Sequence, residues 1–291
     1  MNSTHPLSGK TILVTGATNG IGRAAALELA KSGAQVVVGG RSLLRCEDTQ
    51  RDIAAITGQM PACFPCDFSS LDSVRKGAQK YLESGQPLDV LINNAGAFFT
   101  KRMETHDRIE ASFGINHLAP FLLTGMLLPR LRESGVSRIV VVASDAHRFG
   151  APLKLNDLQL EKGYGPFKAY GRSKGANILF TRALARRLGN SGTTVNAMHP
   201  GAVNTNLGNI QNVVLKKLMA LLMRPFFRPP EKGAETILWL ASSPEMQGQS
   251  GGYYMDCRPH RLHSYIADDE LAEGLWRASE ELTGFTYPAS P

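Results

Sequence analysis

The stretch Thr11-Ile12-Leu13-Val14-Thr15-Gly16-Ala17-Thr18-Asn19-Gly20-Ile21-Gly22-Arg23 decides the fold. It opens as a short apolar, β-branched run, which reads as a buried strand. A glycine-rich turn follows. Over residues 21–32 Ala, Leu and Ile then recur at helical spacing, and Gly33 suits the helix stop. Outward from this strand–turn–helix unit the alternation repeats. Further strands are expected at residues 35–38, 62–66, 89–92, 138–143 and 193–198, and helices at 43–57, 71–83, 102–112, 118–133 and 167–188. Strands alternating with helices of this length build βαβ units, and right-handed crossovers favour an α/β, doubly wound parallel sheet of about seven strands with helices on both faces. No Pro-, Gly- or Ser-rich linker divides the chain, so residues 1–291 read as one domain.

Composition narrows the class. With 43% hydrophobic and 20% charged residues, the chain is ordinary globular protein, which excludes collagen-like, disordered and low-complexity types. A net charge of +7 is spread without a basic run, so no nucleic-acid partner is expected. The excess could still attract an anionic ligand or a lipid surface. No signal peptide is expected, and no apolar run reaches the roughly 18 residues of a membrane span. Four cysteines (Cys46, Cys63, Cys66, Cys257) are too few for a disulfide framework. The C-x-x-C at residues 63–66 could mean redox chemistry or half a zinc site, but no second Cys/His pair stands nearby, and no metal is expected. A reducing, cytoplasmic setting fits.

The turn Gly16, Thr18, Asn19, Gly20, Ile21, Gly22 lies at the first strand–helix junction. Small residues there let the backbone approach a pyrophosphate, and the amides and dipole of the helix start favour that charge. Glycines also make plain turns; the position favours a nucleotide. The second strand ends in Gly39-Gly40-Arg41-Ser42, without the carboxylate that would hold a ribose 2′-hydroxyl. Arg41, with Arg23 as a second cation, suits a 2′-phosphate, so NADP(H) is favoured over NAD(H). Asn93-Asn94-Ala95-Gly96 follows the fourth strand, where Ala95 and Gly96 leave room for a nucleoside. The Asn94 amide could touch ligand or tie strands together.

Ser144 ends the fifth strand, and Tyr170 and Lys174 share one face of the long helix. An ammonium beside a phenol, with an oxidised nicotinamide, would favour the phenolate and make Tyr170 a general acid/base, with Ser144 holding the substrate oxygen and Lys174 the ribose hydroxyls. A Tyr/Lys pair at this spacing is by itself more often a surface pair. Its company changes the weighing.

The set Thr15 to Gly22, Asn93-Asn94-Ala95-Gly96, Ser144, Tyr170-x-x-x-Lys174 and Pro200-Gly201 resembles the short-chain dehydrogenase/reductase (SDR) family. The resemblance implies a Rossmann-type fold and makes Asn116 a catalytic residue whose backbone bends its helix and holds a water. The longer run from Tyr170 to Gly201, with Phe121-Leu122-Leu123-Thr124 and Gly251-Gly252-Tyr253-Tyr254, is similar to the retinol dehydrogenase branch, which mostly uses NADP(H). That likeness implies that Asp67 and Phe68 flank adenine, and that Pro200, Gly201, Val203 and Thr205 line the nicotinamide. Gly175 and Gly39-Gly40 depart from the branch.

Residues 207–228 are expected to form an apolar, cation-flanked lid over a small apolar alcohol or carbonyl, with peripheral membrane contact as one option and a core-packed or oligomer-facing helix as the other. A homodimer or homotetramer is implied by the family. The alternative function is a catalytically silent nucleotide-sensing interaction protein on the same fold. His147, His199 and His263 lack metal-ligand spacing and read as structural or supporting residues.

Overall fold

The computed structural model describes residues 6–150, 152–201 and 228–288. Val203, Thr205 and the lid expected over 207–228, apart from Arg228, lie outside the described residues.

Eight strands are present among the described residues: β1 Thr11–Val14, β2 Gln35–Gly40, β3 Ala62–Pro65, β4 Val90–Asn93, β5 Ser137–Val142, β6 Thr193–Met198, β7 Tyr253–Met255 and β8 Arg258–Pro259. They form one sheet in the order β3-β2-β1-β4-β5-β6-β7-β8, with all pairs parallel except the last. The doubly wound sheet is therefore as expected, with a short antiparallel hairpin added at one edge. The chain reverses direction across the sheet between β1 and β4, which are hydrogen-bonded neighbours with Val14 opposite Ile92. That switch point sets the turns after both strands side by side, where ligands bind in such sheets.

The helices are α1 Gly20–Lys31, α2 Leu43–Thr57, α3 Leu71–Glu83, α4 Ala111–Glu133, α5 Pro166–Leu188, α6 Pro230–Ser242 and α7 Asp269–Thr283. Strand residues alternate between two apolar clusters, one per sheet face. Ile12, Val14, Val38 and Ile92 meet Ala25, Leu29 and Ile237 of α1 and α6. Leu13, Val37, Leu91 and Val141 meet α3, α4, α5 and α7. Burial on both faces explains why the strands are nearly continuous apolar runs. On the second face Phe121 and Phe180 pack with Trp276 and Tyr287, so α7 covers α4 and α5. By length and composition α4 could cross a membrane, yet 89% of its most apolar window is buried inside the protein. It is a core helix.

The helix expected over 102–112 does not form. Thr105 Oγ1 accepts the amides of Asp107 and Ile109 at 3.3 Å each, Arg108 turns to φ 59°, and Glu104 bridges Glu110. Side-chain oxygens thus satisfy the backbone in a turn. Glu110 then caps α4 by accepting the Ser112 and Phe113 amides at 2.9 and 2.8 Å. The helix expected from residue 118 accordingly starts earlier, and it carries a π turn at Gly114–Leu118.

Candidate active site

The glycine turn packs against the turn after β4. Asn94 Nδ2 donates to the carbonyls of Thr15 (2.8 Å) and Gly16 (3.2 Å), and the Asn94 amide N–H donates to Thr15 Oγ1 at 3.0 Å. These bonds match the strand-tying reading of Asn94. Gly16 has φ 66°, and a methyl on Gly22 would run into the Gly16 carbonyl oxygen and the Asn94 amide. Only backbone fits there, leaving the first turn of α1 bare toward the crevice. Asn19 caps that helix by accepting the Gly20 amide at 2.7 Å. Ile21 is buried beneath the turn, and Thr18 sits against Gly40, where a Cβ would strike its methyl. These residues fit a pyrophosphate cradle.

Arg41 is exposed at the end of β2, with no ion pair among the described residues. Arg23, the second cation expected, is instead paired with Asp52 of α2. Asp67 is also engaged: Oδ1 accepts the Ser69 amide (2.9 Å) and hydroxyl (2.8 Å). The Phe68 ring is buried in the core, which leaves its backbone for the adenine contact that the resemblance implies. Gly201 has φ 79°, with the Arg228 side chain, ion-paired to Asp256, against it.

Asn116, Ser144, Tyr170 and Lys174 come from three elements; Asn116 and Lys174 meet beside Gly96, and Tyr170 pairs with Ser144. A Cβ on Gly96 would lie 3.2 Å from Asn116 Oδ1 and 3.3 Å from Lys174 Nζ. Asn116 sits in the π turn; its Oδ1 accepts the Ala97 amide at 2.7 Å, and its Nδ2 donates to Ala97 O and Ser173 Oγ at 2.9 Å each. The helix distortion implied for Asn116 is thus observed. Lys174 Nζ donates to Val142 O at 2.8 Å and lies 5.8 Å from the Tyr170 ring centre. Ser144 Oγ accepts the Ala146 amide at 3.1 Å and shares a hydrogen bond with the Tyr170 hydroxyl.

The expected acidic phenol is not found in the protein alone. Burial pushes the Tyr170 hydroxyl up to about 12, hydrogen bonding to Ser144 opposing it. The same burial pulls Lys174 down to about 8 from 10.5. Loss of water outweighs the lysine's field, because the ammonium is aimed at Val142 O and not at the phenol oxygen. The proton therefore rests on Tyr170 at neutral pH.

Around the phenol stands apolar surface that the sequence reading passed over. Phe98 lies edge-on to Tyr170 with ring centres 5.6 Å apart, and Phe167 lies 5.4 Å from Phe98. Phe167 is 71% exposed. Two signals could have found them: Phe98 is two residues past Gly96, and Phe167 lies one helical turn before Tyr170. Asp145 was also overlooked. Burial would raise its carboxyl, but hydrogen bonds from His260 and Tyr253 and the nearby histidines hold it below the ordinary value. His147 and His199 support this region, each kept neutral by burial, His199 pulled down to about 4. The cysteines carry no such chemistry: burial raises Cys46 and Cys66 to about 12, and Cys63 and Cys66 pack into different core clusters. Among the described residues no group of three His, Cys, Asp or Glu side chains could hold a metal.

Comparison with known proteins agrees with this geometry. The sequence profile of the family described as short chain dehydrogenase matches residues 10–212. The chain belongs to the short-chain dehydrogenase family. This dehydrogenase is similar to human retinol dehydrogenase 14, 44% identical over 96% of this chain and 87% of that protein. Human retinol dehydrogenase 12 is 38% identical over 97% of this chain and 88% of its own length. Among solved structures, an uncharacterized protein from Mycobacterium paratuberculosis superposes with a TM-score of 0.78, at 33% identity over 97% of this chain and 96% of that one. The dehydrogenase is thus an oxidoreductase of alcohol and carbonyl groups, retinol dehydrogenase-like, using a dinucleotide of the NAD(P) class.

Proposed function

We propose that the dehydrogenase interconverts an alcohol and a carbonyl on an apolar substrate with NADP(H), using Tyr170 as general acid/base. The observation that carries this reading is the meeting of Asn116 and Lys174 beside Gly96, with Tyr170 hydrogen-bonded to Ser144 and Phe98 edge-on to its ring. The unpaired Arg41 supports a 2′-phosphate, because its planar fork can donate two hydrogen bonds to one. A short chain dehydrogenase from Burkholderia cenocepacia, solved in complex with NADP, is 28% identical with a TM-score of 0.68, over 85% of this chain and 96% of that one.

The cradle at Gly16, Gly20 and Gly22, with Thr18, Asn19 and Ile21, would hold the pyrophosphate; Arg41, Asp67 and the Phe68 backbone would hold the adenosine end. Ala95, Gly96, Pro200 and Gly201, with Val203 and Thr205, would hold the nicotinamide end. The bound dinucleotide supplies or accepts hydride. Ser144 Oγ donates to the substrate oxygen and fixes it near Tyr170. In reduction the protonated Tyr170 hydroxyl delivers its proton to that oxygen as charge develops; in oxidation it takes the proton back. Lys174 stays anchored on Val142 O and stabilises the phenolate left behind. Phe98 and Phe167 keep water from the reacting carbon and favour apolar carbonyls. A cytoplasmic setting is part of the same reading and rests on the sequence.

The test is Tyr170→Phe, which removes one oxygen. NADPH should bind unchanged, by quenching and blue shift of its fluorescence, while NADPH oxidation with decanal or benzaldehyde should stop. Turnover at the wild-type rate would discard the assignment.

A further inference from the structure

Ser144 is followed by a single short 3-10 turn, Asp145–Arg148, which has little stability of its own. Its orientation must come from what grips it. We propose that the carboxyl-terminal stretch 253–265 is a clamp that positions Ser144, with Asp145 and His260 as its central positioning residues. The proposal rests on the substrate-binding role of Ser144 given above.

Three side chains of that stretch seize the turn at separate points. Tyr253 Oη donates to Asp145 Oδ1 at 3.0 Å, His260 Nε2 donates to Asp145 Oδ2 at 2.9 Å, and Tyr265 Oη donates to the His147 carbonyl at 3.0 Å. The turn grips back: Arg148 Nη2 donates to the Arg261 carbonyl, and its Nε lies 3.3 Å from Asp145 Oδ1. Within the turn, His147 Nδ1 donates to the Ser144 carbonyl at 2.7 Å while its ring stands edge-on to Tyr253, 5.7 Å away. The residue on the carboxyl side of Ser144 is therefore fastened from outside, and the Ser144 carbonyl is held by His147, whose own carbonyl takes the Tyr265 hydroxyl.

Two features suit the residues to this task. A carboxylate offers two oxygens to donors arriving from β7 and from the residue after β8; an amide side chain would turn an N–H toward one of them. Gly175, one position past Lys174, opens the slot that the Tyr265 hydroxyl enters. A methyl there would stand 2.8 Å from that oxygen and 3.6 Å from His147 Cβ. Displacing a substrate-orienting group by about 1 Å can cost on the order of 10²-fold in rate, so the clamp acts on turnover and not on cofactor affinity.

The experiment uses the full chain, NADPH, and decanal and benzaldehyde as carbonyl probes, comparing His260→Ala, His260→Gln, Asp145→Asn, the double variant Asp145→Asn/His260→Ala, and Ser144→Ala. His260→Ala should lower kcat about tenfold with the NADPH Kd within twofold of wild type. His260→Gln, which keeps an N–H donor near Nε2, should recover kcat to within about threefold. The double variant should fall no further than Asp145→Asn alone, since both changes break one contact. Wild-type kcat in His260→Ala, while Ser144→Ala is inactive, overturns the clamp and leaves the site assignment standing. Equal losses in His260→Ala and His260→Gln also overturn it, because then bulk rather than the hydrogen bond matters. An active Ser144→Ala removes the reading beneath it.

Discussion

The two ends of the crevice are built from different materials. At the nucleotide end the shape is backbone: Gly16 and Gly22 admit no Cβ, and Asn94 ties two turns by its amide. At the chemical end the shape is side chains carried by separate elements, Asn116 on α4, Ser144 after β5, Tyr170 and Lys174 on α5, gripped by groups from beyond β6. A cradle of main chain would hold any dinucleotide phosphate alike. An assembly of side chains depends on the sheet to bring it together, and each member can be removed without emptying the cradle. Substitutions at the first end should move cofactor affinity and leave kcat at saturation alone; those at the second should do the reverse.

The division breaks most visibly at Tyr170. Tyr170→Phe should cut kcat about 10³-fold, within the range for loss of a general acid, with NADPH affinity intact by fluorescence titration. A matching loss of affinity would show the two ends to be coupled. Gly22→Ala should weaken NADPH binding by about tenfold to a hundredfold, the cost of forcing a methyl against the Gly16 carbonyl and the Asn94 amide. Unchanged affinity would mean that the phosphates lie elsewhere. Arg41→Ala should cost about tenfold for NADPH and nothing for NADH in the same titration, the loss of one charge-assisted contact. Equal effects on both would sink the 2′-phosphate assignment.

The smallest effect is one on stability, at Lys174. Its value falls from 10.5 to about 8, so between those pH values the unfolded chain binds the proton that the native protein has released. Stability from this group therefore rises with pH across the window, and below about 8 the buried charge is a penalty. Lys174→Met should abolish turnover yet melt a few degrees higher at pH 7, with the gap in Tm narrowing from pH 8 to 10.5. A gap that does not change with pH would remove burial as the cause.

What the sequence could disclose follows the same division. The glycine turn, the apolar strands and the Tyr170/Lys174 spacing are local patterns, so the doubly wound sheet and the company of site residues were legible before any coordinates. The turn over 102–110 was not, because Thr105 and Glu110 satisfy the backbone with their own oxygens and imitate a helical pattern while doing so. Nor was the grip on Asp145, whose partners Tyr253 and His260 are 108 and 115 residues away along the chain. The elevated phenol of Tyr170 escaped for a different reason: spacing shows that a lysine is near, but only packing shows how little water is left. Arg23 looked free until α2 brought Asp52 to it.

Helix α4 has a consequence for how the protein is handled. Its apolar length is hidden because the sheet, α3, α5 and α7 pack over it, and α5 and α7 both follow it in the chain. A polypeptide interrupted before α5 would present an oily rod to its surroundings. Material from such a half-finished chain would sediment with lipid vesicles or chaperones, and its recovery there would report incomplete folding, not the address of the mature enzyme.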